Sequence, residues 1–469
     1  MMRTNPYSHQ LTAARQLHRF GGRMLLADEV GVGKSLSALL YAHQRGLFPM
    51  LVVCPKSLKW NWAKETDTHF GTECLVLDGS SARMEVSEGK KQPITVINYD
   101  VVISQRGRGR GWLKWLLEVG YEYLIIDEGH YLASRSSKRT RACQQLCEAI
   151  PRVCILTGTP FTSEPAQLWP MLNMLRPDVW PSWTDYAKRH CDPKPNPWSG
   201  GWTYKGAKRM DELNQRLCQN VMLRRTKAEV LSELPTRTRC VLPLPISNEG
   251  EYKRAESDFL EWLRTTAIYA KSEDGRTQDD RVRKAQRAEA LLKVNYLKQL
   301  AARLKMPSVM NWIEDFLVSG KKLVVFCTHR WAITQLREKW RSISVEVQGD
   351  TSAKDRQSAV NKFQSAKDCR LFIGNLDAAG VGITLTAASD MVFVEYGWTP
   401  GKHVQAEGRI ARVGQTEPVT CWWMVANGTV EARLVALLQK KAEVFCDAID
   451  GGSSDDHLNV FDQLCEVMK

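Results

Sequence analysis

The chain has 469 residues, more than one hydrophobic core usually holds, so its length predicts two or three domains. Hydrophobic residues are 43% and charged residues 25% of the chain, which excludes a disordered protein. The 65 Lys and Arg residues against 52 Asp and Glu leave a net charge of +13. This surplus indicates a polyanionic partner, nucleic acid before an acidic membrane surface, with plain solubility as the alternative.

Other compositional features exclude several protein classes. No apolar run approaches the roughly 18 residues of a membrane-spanning helix, and residues 1–10 lack the apolar core of a secretory signal. The 13 cysteines are scattered, and the spacing of Cys143 and Cys147 is not repeated elsewhere, so we expect reduced thiols and no zinc site. We expect a cytoplasmic protein of prokaryotic or viral source, or a nuclear protein if the source is eukaryotic.

Short apolar runs, each followed by a turn and a helical pattern, predict an α/β fold with parallel sheets buried on both faces. These runs are residues 24–27, 51–54, 95–98, 123–126 and 153–156, and then 323–326, 345–347, 371–374, 391–394 and 422–425. Between them, from about 165 to 306, there is little strand pattern, and residues 251–304 favour helices. The tail after Gly451 is expected to be peripheral.

A phosphate-binding loop is predicted directly after the first of these strands. Residues 28–35 read Asp-Glu-Val-Gly-Val-Gly-Lys-Ser and lead into a helical pattern. Gly31 and Gly33 would let backbone N–H groups close around phosphate oxygens at the positive end of that helix. Lys34 would hold the β- and γ-phosphates, and the Ser35 hydroxyl would ligate Mg²⁺. The strict pattern has glycine where this chain has Asp28, so this match alone is partial.

A second motif strengthens the prediction. The apolar residues 124–126 end in Asp127-Glu128-Gly129-His130, about ninety residues after the loop. At such a strand end the first carboxylate supports Mg²⁺, and the second orients or deprotonates the attacking water.

With these two motifs, the chain resembles the Swi/Snf-type ATPases of helicase superfamily two, most closely the annealing-helicase (HARP-type) branch. Further segments that match in order are residues 9–10, 55–58, 61–62, 156–160, 222–227, 325–329, 378–386 and 405–415. The resemblance covers nearly the whole chain, from about residue 6 to 444. Gly129, Gly408 and Ala411 depart from the family pattern, where a small polar residue, an acid and a histidine are usual.

The resemblance implies two RecA-like lobes with helical insertions between them and ATP in the cleft between the lobes. We expect an N-terminal lobe at 1–175, a helical protrusion and linker at 176–305, a C-terminal lobe at 306–450 and a tail at 451–469. Lys34, Asp127 and Glu128 would act in catalysis, with Arg409 and Arg412 as arginine fingers that share one face if they are helical. Mg²⁺ would be held by Ser35 and Asp127. The residues expected to bind ATP are Gln10, Glu29, Gly31, Val32, Gly33, Lys34, Ser35 and Gln405.

DNA contacts are predicted to involve the backbone rather than the bases, because a motor must pass over any sequence. The candidates are Lys56, Ser57, Lys138, Gly380 and Thr384. Trp62 is interpreted as a packing residue rather than a base-stacking residue. The basic cluster of Arg135, Lys138, Arg139 and Arg141, and the arginines of 106–110, could equally be solvated surface.

The leading hypothesis is therefore an ATP-hydrolysing, DNA-stimulated translocase on double-stranded or branched DNA, without sequence specificity and without a membrane partner. One alternative is a strand-separating DNA or RNA helicase, and another is a non-enzymatic DNA-binding subunit of a larger complex. A protein partner could supply targeting. The preference for DNA over RNA rests on the resemblance alone.

Overall fold

The structure is a computed structural model, and it describes residues 2–77, 93–103, 112–160, 164–195, 202–204, 206–231, 233, 235–265, 280–379 and 382–438. These residues divide into two compact units. The first unit holds the described residues up to 192 and those from 206 to 233. The second unit holds the described residues of 193–204 and those from 235 to 438.

The strands, in chain order, are β1 Arg23–Leu26, β2 Met50–Cys54, β3 Leu75–Leu77, β4 Ile94–Asn98, β5 Tyr123–Asp127, β6 Arg152–Leu156, β7 Lys194–Pro195, β8 Trp202–Thr203, β9 Met222–Leu223, β10 Arg237–Leu244, β11 Leu323–Cys327, β12 Ser344–Val347, β13 Leu371–Asn375, β14 Asp390–Phe393 and β15 Val419–Ala426. The α-helices are α1 Ser8–Arg19, α2 Lys34–Arg45, α3 Lys59–Phe70, α4 Tyr99–Val102, α5 Trp112–Glu118, α6 Lys138–Ala149, α7 Trp169–Leu175, α8 Trp183–His190, α9 Met210–Asn220, α10 Lys227–Val230, α11 Glu249–Thr265, α12 Asp280–Val318, α13 Arg330–Lys339, α14 Ala353–Ser365, α15 Leu376–Ala379 and α16 Pro400–Glu407.

The first unit is built on a parallel sheet in the order β3-β4-β2-β5-β6-β1-β9. Its central strands are continuous apolar runs, and every residue of β2 and β4 is buried. Because the strands are parallel, β1 and β5 point their carboxyl ends toward the same edge of the sheet, with β6 between them. This edge is where ligands bind in open α/β sheets, and it carries both the phosphate loop and Asp127.

The second unit is built on a parallel sheet in the order β10-β15-β14-β11-β13-β12. Alternate residues of β11 enter two different cores, Val324 and Phe326 on one face and Leu323 and Val325 on the other. Burial on both faces is what a continuous apolar run in a parallel sheet requires. The predicted α/β fold with two parallel-sheet lobes is confirmed.

The middle of the chain holds strands that the pattern did not predict: the two-residue strands β7, β8 and β9, and the eight-residue strand β10. β10 reads Arg-Thr-Arg-Cys-Val-Leu-Pro-Leu and pairs in parallel with all eight residues of β15. The expectation of little strand structure between 165 and 306 is therefore wrong at this point. Residues of the predicted protrusion, 176–305, fall in both compact units, and the domain boundaries stay a prediction. Within the described residues, no helix has the length and apolar character needed to cross a membrane.

Candidate active site

The loop between β1 and α2 has the backbone that a phosphate cradle needs. Gly31 and Gly33 both have left-handed backbone angles, with φ of 93° and 91°. The left-handed conformation at Gly33 favours glycine, and a Cβ there would lie 2.4 Å from Nε2 of Gln10, so that side chain would have to move. α2 begins at Lys34, directly after this turn, so its unpaired N–H groups face the loop.

Lys34 lies inside this loop. Its Nζ donates hydrogen bonds to the backbone carbonyls of Asp28 at 2.8 Å and Glu29 at 3.2 Å. Burial lowers the pKa of the Lys34 ammonium, while the carboxylates of Glu128, Asp28 and Asp127 raise it. The first unit therefore brings together the predicted lysine and both predicted carboxylates.

Asp28, the departure from the strict loop pattern, has a structural reason. It is fully buried, and both of its carboxylate oxygens accept from Arg225: Oδ1 from Nε at 3.0 Å and Oδ2 from Nη2. Arg225 also donates from Nη1 to the carbonyl of His9 at 2.5 Å. The segment after β9 thus holds both the loop and α1 through one guanidinium.

Two further residues predicted to bind ATP, Glu29 and Gln10, are fixed by hydrogen bonds to neighbouring segments. Glu29 accepts from the backbone N–H of Lys227 at 2.8 Å, and its own N–H donates to the Arg225 carbonyl at 2.9 Å. Gln10 is buried, and its Oε1 accepts from the Tyr7 N–H at 2.9 Å. The structure places Gln10 beside Gly33, and it ties Glu29 to the segment after β9.

Asp127 ends β5 in a closely supported position. Its Oδ2 accepts from the indole N–H of Trp62 at 2.9 Å, and its Oδ1 accepts from the Glu128 N–H at 2.8 Å. The Tyr99 hydroxyl donates to its backbone carbonyl at 2.6 Å. Burial, followed by the Glu128 charge, raises the pKa of Asp127 to about 7. Trp62 packs as predicted, but its bond to Asp127, like Tyr99 and Arg225, was missed, because only the folded chain brings these residues together.

Glu128 has a left-handed backbone at φ 53°, which is uncommon for a residue with a side chain. Its Oε2 lies 3.3 Å from Nδ1 of His130. Gly129 stands where the family usually has a small polar residue. Packing requires glycine here, since a Cβ would lie 2.4 Å from Cγ2 of Ile155. Both carboxylates lie close enough to Lys34 to raise the pKa of its ammonium.

The residues fit a magnesium ion. Each oxygen of the Asp127 carboxylate accepts one hydrogen bond, which leaves further lone pairs for a cation. A carboxylate and the Ser35 hydroxyl are oxygen ligands, and Mg²⁺ typically takes only one or two of these beside phosphates and water. Within the described ranges, no group of three or more His, Cys, Asp or Glu residues could hold a metal.

The predicted arginines of the second unit lie just beyond α16, which ends at Glu407. Arg409 is buried; its N–H donates to Ala406 at 2.9 Å and its carbonyl accepts from Leu385 at 2.9 Å. Arg412 donates from Nη1 to the Thr384 hydroxyl at 2.9 Å. Arg409 lies in a turn and Arg412 in a bend, so neither is helical, and the condition under which they would share one helical face does not apply. Gln405 is buried in α16.

The DNA candidates lie at several places. Lys56 is exposed and Ser57 half-buried in the 3₁₀ turn after β2, and Lys138 is exposed at the first residue of α6. Thr384 is bonded to Arg412, so this candidate is also tied to a predicted catalytic residue. Gly380 and the arginines of 106–110 lie outside the described residues. In the basic cluster, Arg135 lies over the Trp183 ring at 3.9 Å, and Arg139 pairs with Asp100 at 3.4 Å.

Comparisons with known proteins place this geometry in a family. A family model described as "SNF2-related domain" matches residues 10–295, more than half of the chain. The chain belongs to the SNF2-related family. A second model, "Helicase conserved C-terminal domain", matches residues 308–414, which include Arg409 and Arg412. The predicted membership of the Swi/Snf type and the helicase-like character are confirmed.

Curated relatives of this SNF2-family chain include two animal proteins. The "SWI/SNF-related matrix-associated actin-dependent regulator of chromatin subfamily A-like protein 1" of Xenopus laevis is 33% identical over 435 residues, which is 91% of this chain and 42% of the relative. The human "DNA annealing helicase and endonuclease ZRANB3" is 30% identical over 446 residues, 92% of this chain and 39% of the relative. The chain therefore spans about two fifths of the length of these relatives.

Among solved structures, the Sulfolobus solfataricus SWI2/SNF2 ATPase core in complex with dsDNA has a TM-score of 0.42 and 23% identity, and the match covers 96% of this chain and 94% of that one.

The curated relatives named above come from animals, so they do not support the expected prokaryotic or viral source with its cytoplasmic location.

Proposed function

We propose that this SNF2-family chain is an ATP-hydrolysing, DNA-stimulated translocase that acts on double-stranded or branched DNA and remodels or rewinds it. The observation that carries the proposal is the meeting of Lys34 with Asp127 and Glu128 at one edge of the first sheet. This set of groups suits the transfer of a phosphoryl group to water. A relative named as a DNA annealing helicase supports DNA as the substrate and rewinding as the outcome.

In the first unit, each side chain has a distinct task. The N–H groups at 31–33 and at the start of α2 bind phosphate oxygens, and Lys34 leaves its carbonyl partners to hold the β- and γ-phosphates. Gln10, buried beside Gly33, is proposed to bind the adenine. Glu128 accepts a hydrogen bond from the attacking water and takes its proton. Asp127 and Ser35 would hold Mg²⁺, which would neutralise charge on the transferring phosphoryl group when bound.

Arg409 and Arg412 of the second unit are proposed to stabilise the negative charge of the transition state. Planar guanidinium groups match the equatorial oxygens of the phosphoryl group, and an arginine finger is worth about 10³–10⁵ in turnover. Gln405 is proposed to bind the nucleotide beside them. The bond from Arg412 to Thr384 supports a link between hydrolysis and DNA, because Thr384 is a DNA candidate.

DNA is proposed to be bound through its phosphates by Lys56, Ser57, Lys138, Gly380 and Thr384. Lys56 and Ser57 follow β2, at the same edge of the sheet as Asp127, and they can donate without reading bases. We also propose that a protein partner supplies targeting to particular DNA structures, and that in a eukaryotic cell the chain works in the nucleus, where its DNA lies.

The decisive experiment compares ATP hydrolysis in the presence of duplex DNA, forked DNA, single-stranded DNA and single-stranded RNA. We expect stimulation by duplex or forked DNA. Lys34→Ala and Glu128→Gln should each abolish the stimulated hydrolysis while DNA binding stays measurable. Hydrolysis retained by both variants would overturn the assignment, and stimulation by RNA alone would favour the RNA helicase alternative.

A second assay separates translocation from strand separation. The wild-type protein should displace the third strand of a triplex on duplex DNA and should not unwind a blunt duplex. Strand displacement without triplex displacement would identify a helicase. DNA binding without any hydrolysis would identify a non-enzymatic subunit.

A further inference from the structure

The carboxylate of Glu407, at the end of α16, is fully buried and is held by two arginines of β10. Arg239 donates from Nε to Oε1 and from Nη2 to Oε2, both at 2.8 Å, which is a two-point pair. Nη1 of Arg237 lies 3.4 Å from Oε2. All three residues belong to the second unit.

β10 is the first strand of the long second-unit stretch that begins at residue 235. It is an edge strand, paired on one side with β15, where Arg237 lies opposite Val419 and Arg239 opposite Cys421. Arg237 and Arg239 are two residues apart, so they project from the same side of the strand. The edge strand therefore offers two cations to one buried carboxylate.

Glu407 is joined to Arg409 by backbone as well as by sequence. The Glu407 carbonyl accepts from the N–H groups of Ala411 at 3.0 Å and Ile410 at 3.3 Å, so it closes the turn that contains Arg409. Arg409 itself is held by the bonds of its backbone to Ala406 and Leu385. A rotation of the end of α16 would therefore move Arg409 with it.

We propose that Arg239 is a positioning residue for hydrolysis, which fixes the orientation of Arg409 through its two-point pair with Glu407. This inference rests on the proposed function, since it assigns a support to the proposed arginine finger. A guanidinium holds a carboxylate in one plane and at two points, whereas a lysine ammonium supplies only a point charge. Arg239 contacts both oxygens of Glu407 at 2.8 Å, whereas the contact of Arg237 is 3.4 Å long. Arg239 therefore restricts the rotation of α16 about Glu407 much more than Arg237 does.

This difference gives a matched experiment on the full-length chain. Arg239→Lys keeps the charge and removes the two-point geometry, and we expect it to lower kcat for DNA-stimulated ATP hydrolysis by about ten- to a hundredfold. The KM for ATP and the Kd for duplex DNA should stay within about twofold, because ground-state binding does not need the finger. Arg237→Lys makes the same substitution two residues away and should leave kcat within about twofold. Equal kcat values for the two variants would overturn the proposal.

Two further variants separate positioning from folding. Val419→Ala weakens the core that β15 lines and leaves the side chains of Glu407, Arg237 and Arg239 in place; it should lower the melting temperature while kcat per folded molecule stays at the wild-type value. Glu407→Gln, which keeps the size of the side chain, should reproduce the kcat loss of Arg239→Lys. A kcat loss in Val419→Ala that matches Arg239→Lys would assign the pair a purely structural role. If the wild-type protein shows no ATP hydrolysis, the proposed function fails, and that result is distinct from a normal kcat in Arg239→Lys.

Discussion

Arg225 binds both carboxylate oxygens of Asp28, the residue that stands where a strict phosphate loop has glycine. The pair is almost completely shielded from solvent, since the side chain of Asp28 is fully buried and that of Arg225 is 12% exposed. A buried carboxylate that loses its only two-point partner is left with an uncompensated charge, and this typically costs about 3–5 kcal/mol. We therefore expect Arg225→Met to lower the free energy of unfolding of the first unit by about that amount, measured by urea denaturation.

A double variant tests the cause of this loss. Arg225→Met combined with Asp28→Leu removes both charges and replaces them with apolar side chains, which is often neutral for stability. The double variant should regain most of the lost stability. If it is as unstable as Arg225→Met alone, the hydrogen bond from Arg225 to the His9 carbonyl, and not the charge of Asp28, accounts for the effect.

Trp62 supports Asp127 through one hydrogen bond from its indole N–H to Oδ2. Trp62→Phe keeps an aromatic ring in this buried position and removes the donor. A hydrogen bond to a charged group is worth about 1.5–3 kcal/mol, so we expect ATP turnover to fall by about tenfold to a hundredfold. The steady-state kcat measures this. Trp180→Phe is the control, since the indole N–H of the buried Trp180 makes no hydrogen bond to any described residue; a similar fall in both variants would contradict the role of the bond.

The burial of His403 predicts that the folding stability of the second unit falls at acidic pH. It is buried against Phe393, Tyr396 and Trp423, and burial, with the nearby cations Lys298, Arg239 and Lys402, lowers its pKa from 6.5 to about 3. The unfolded chain binds a proton below pH 6.5 that the folded chain does not bind until about pH 3. Stability is therefore fully present above pH 6.5 and is lost as the pH falls, by about 2 kcal/mol between pH 7 and 5.

The measurement is the free energy of unfolding at pH 7 and pH 5, for the wild-type chain and for His403→Phe, which fits the same aromatic surroundings. The variant should lose about 2 kcal/mol less than the wild type over this interval. Other acidic and basic groups titrate equally in both proteins, so they cancel in the difference. Identical pH dependence in the two proteins would show that His403 is not the sensitive group.

The strands predicted from apolar runs were found because burial on both faces of a parallel sheet leaves a strong signal in the sequence. β10 leaves no such signal, since it begins with Arg-Thr-Arg, buries only its last residue and contains Pro243, as an edge strand can. Its existence depends on pairing with β15, nearly two hundred residues later in the chain. Such a pairing is decided by tertiary structure and not by local pattern.

In the candidate site too, the sequence predicted some residues and not others. Lys34, Asp127 and Glu128 were predictable because a strand end and a turn carry them, and their spacing along the chain is local to those elements. Their supports come from elsewhere: Arg225 lies 197 residues from Asp28, and Trp62 lies 65 residues from Asp127. A motif names the groups that carry the chemistry, whereas the partners that orient them are chosen by the packing of distant segments.

DNA binding through phosphates predicts a steep dependence on salt, and Lys56 gives the sharpest test. Each phosphate neutralised by a cation adds about 0.9 to the slope of log K against log salt for duplex DNA. Lys56→Ala should therefore reduce the magnitude of the slope by about 0.9 and weaken binding equally for duplexes of unrelated sequence. Fluorescence anisotropy between 50 and 200 mM salt, about the range over which such contacts are lost, measures both effects.

The control is Lys253→Ala, which removes an exposed cation of α11 that pairs with Glu249 and should leave the slope unchanged. A slope that is the same for Lys56→Ala and the wild type would remove Lys56 from the DNA-binding surface, and a sequence-dependent loss would mean that bases are read.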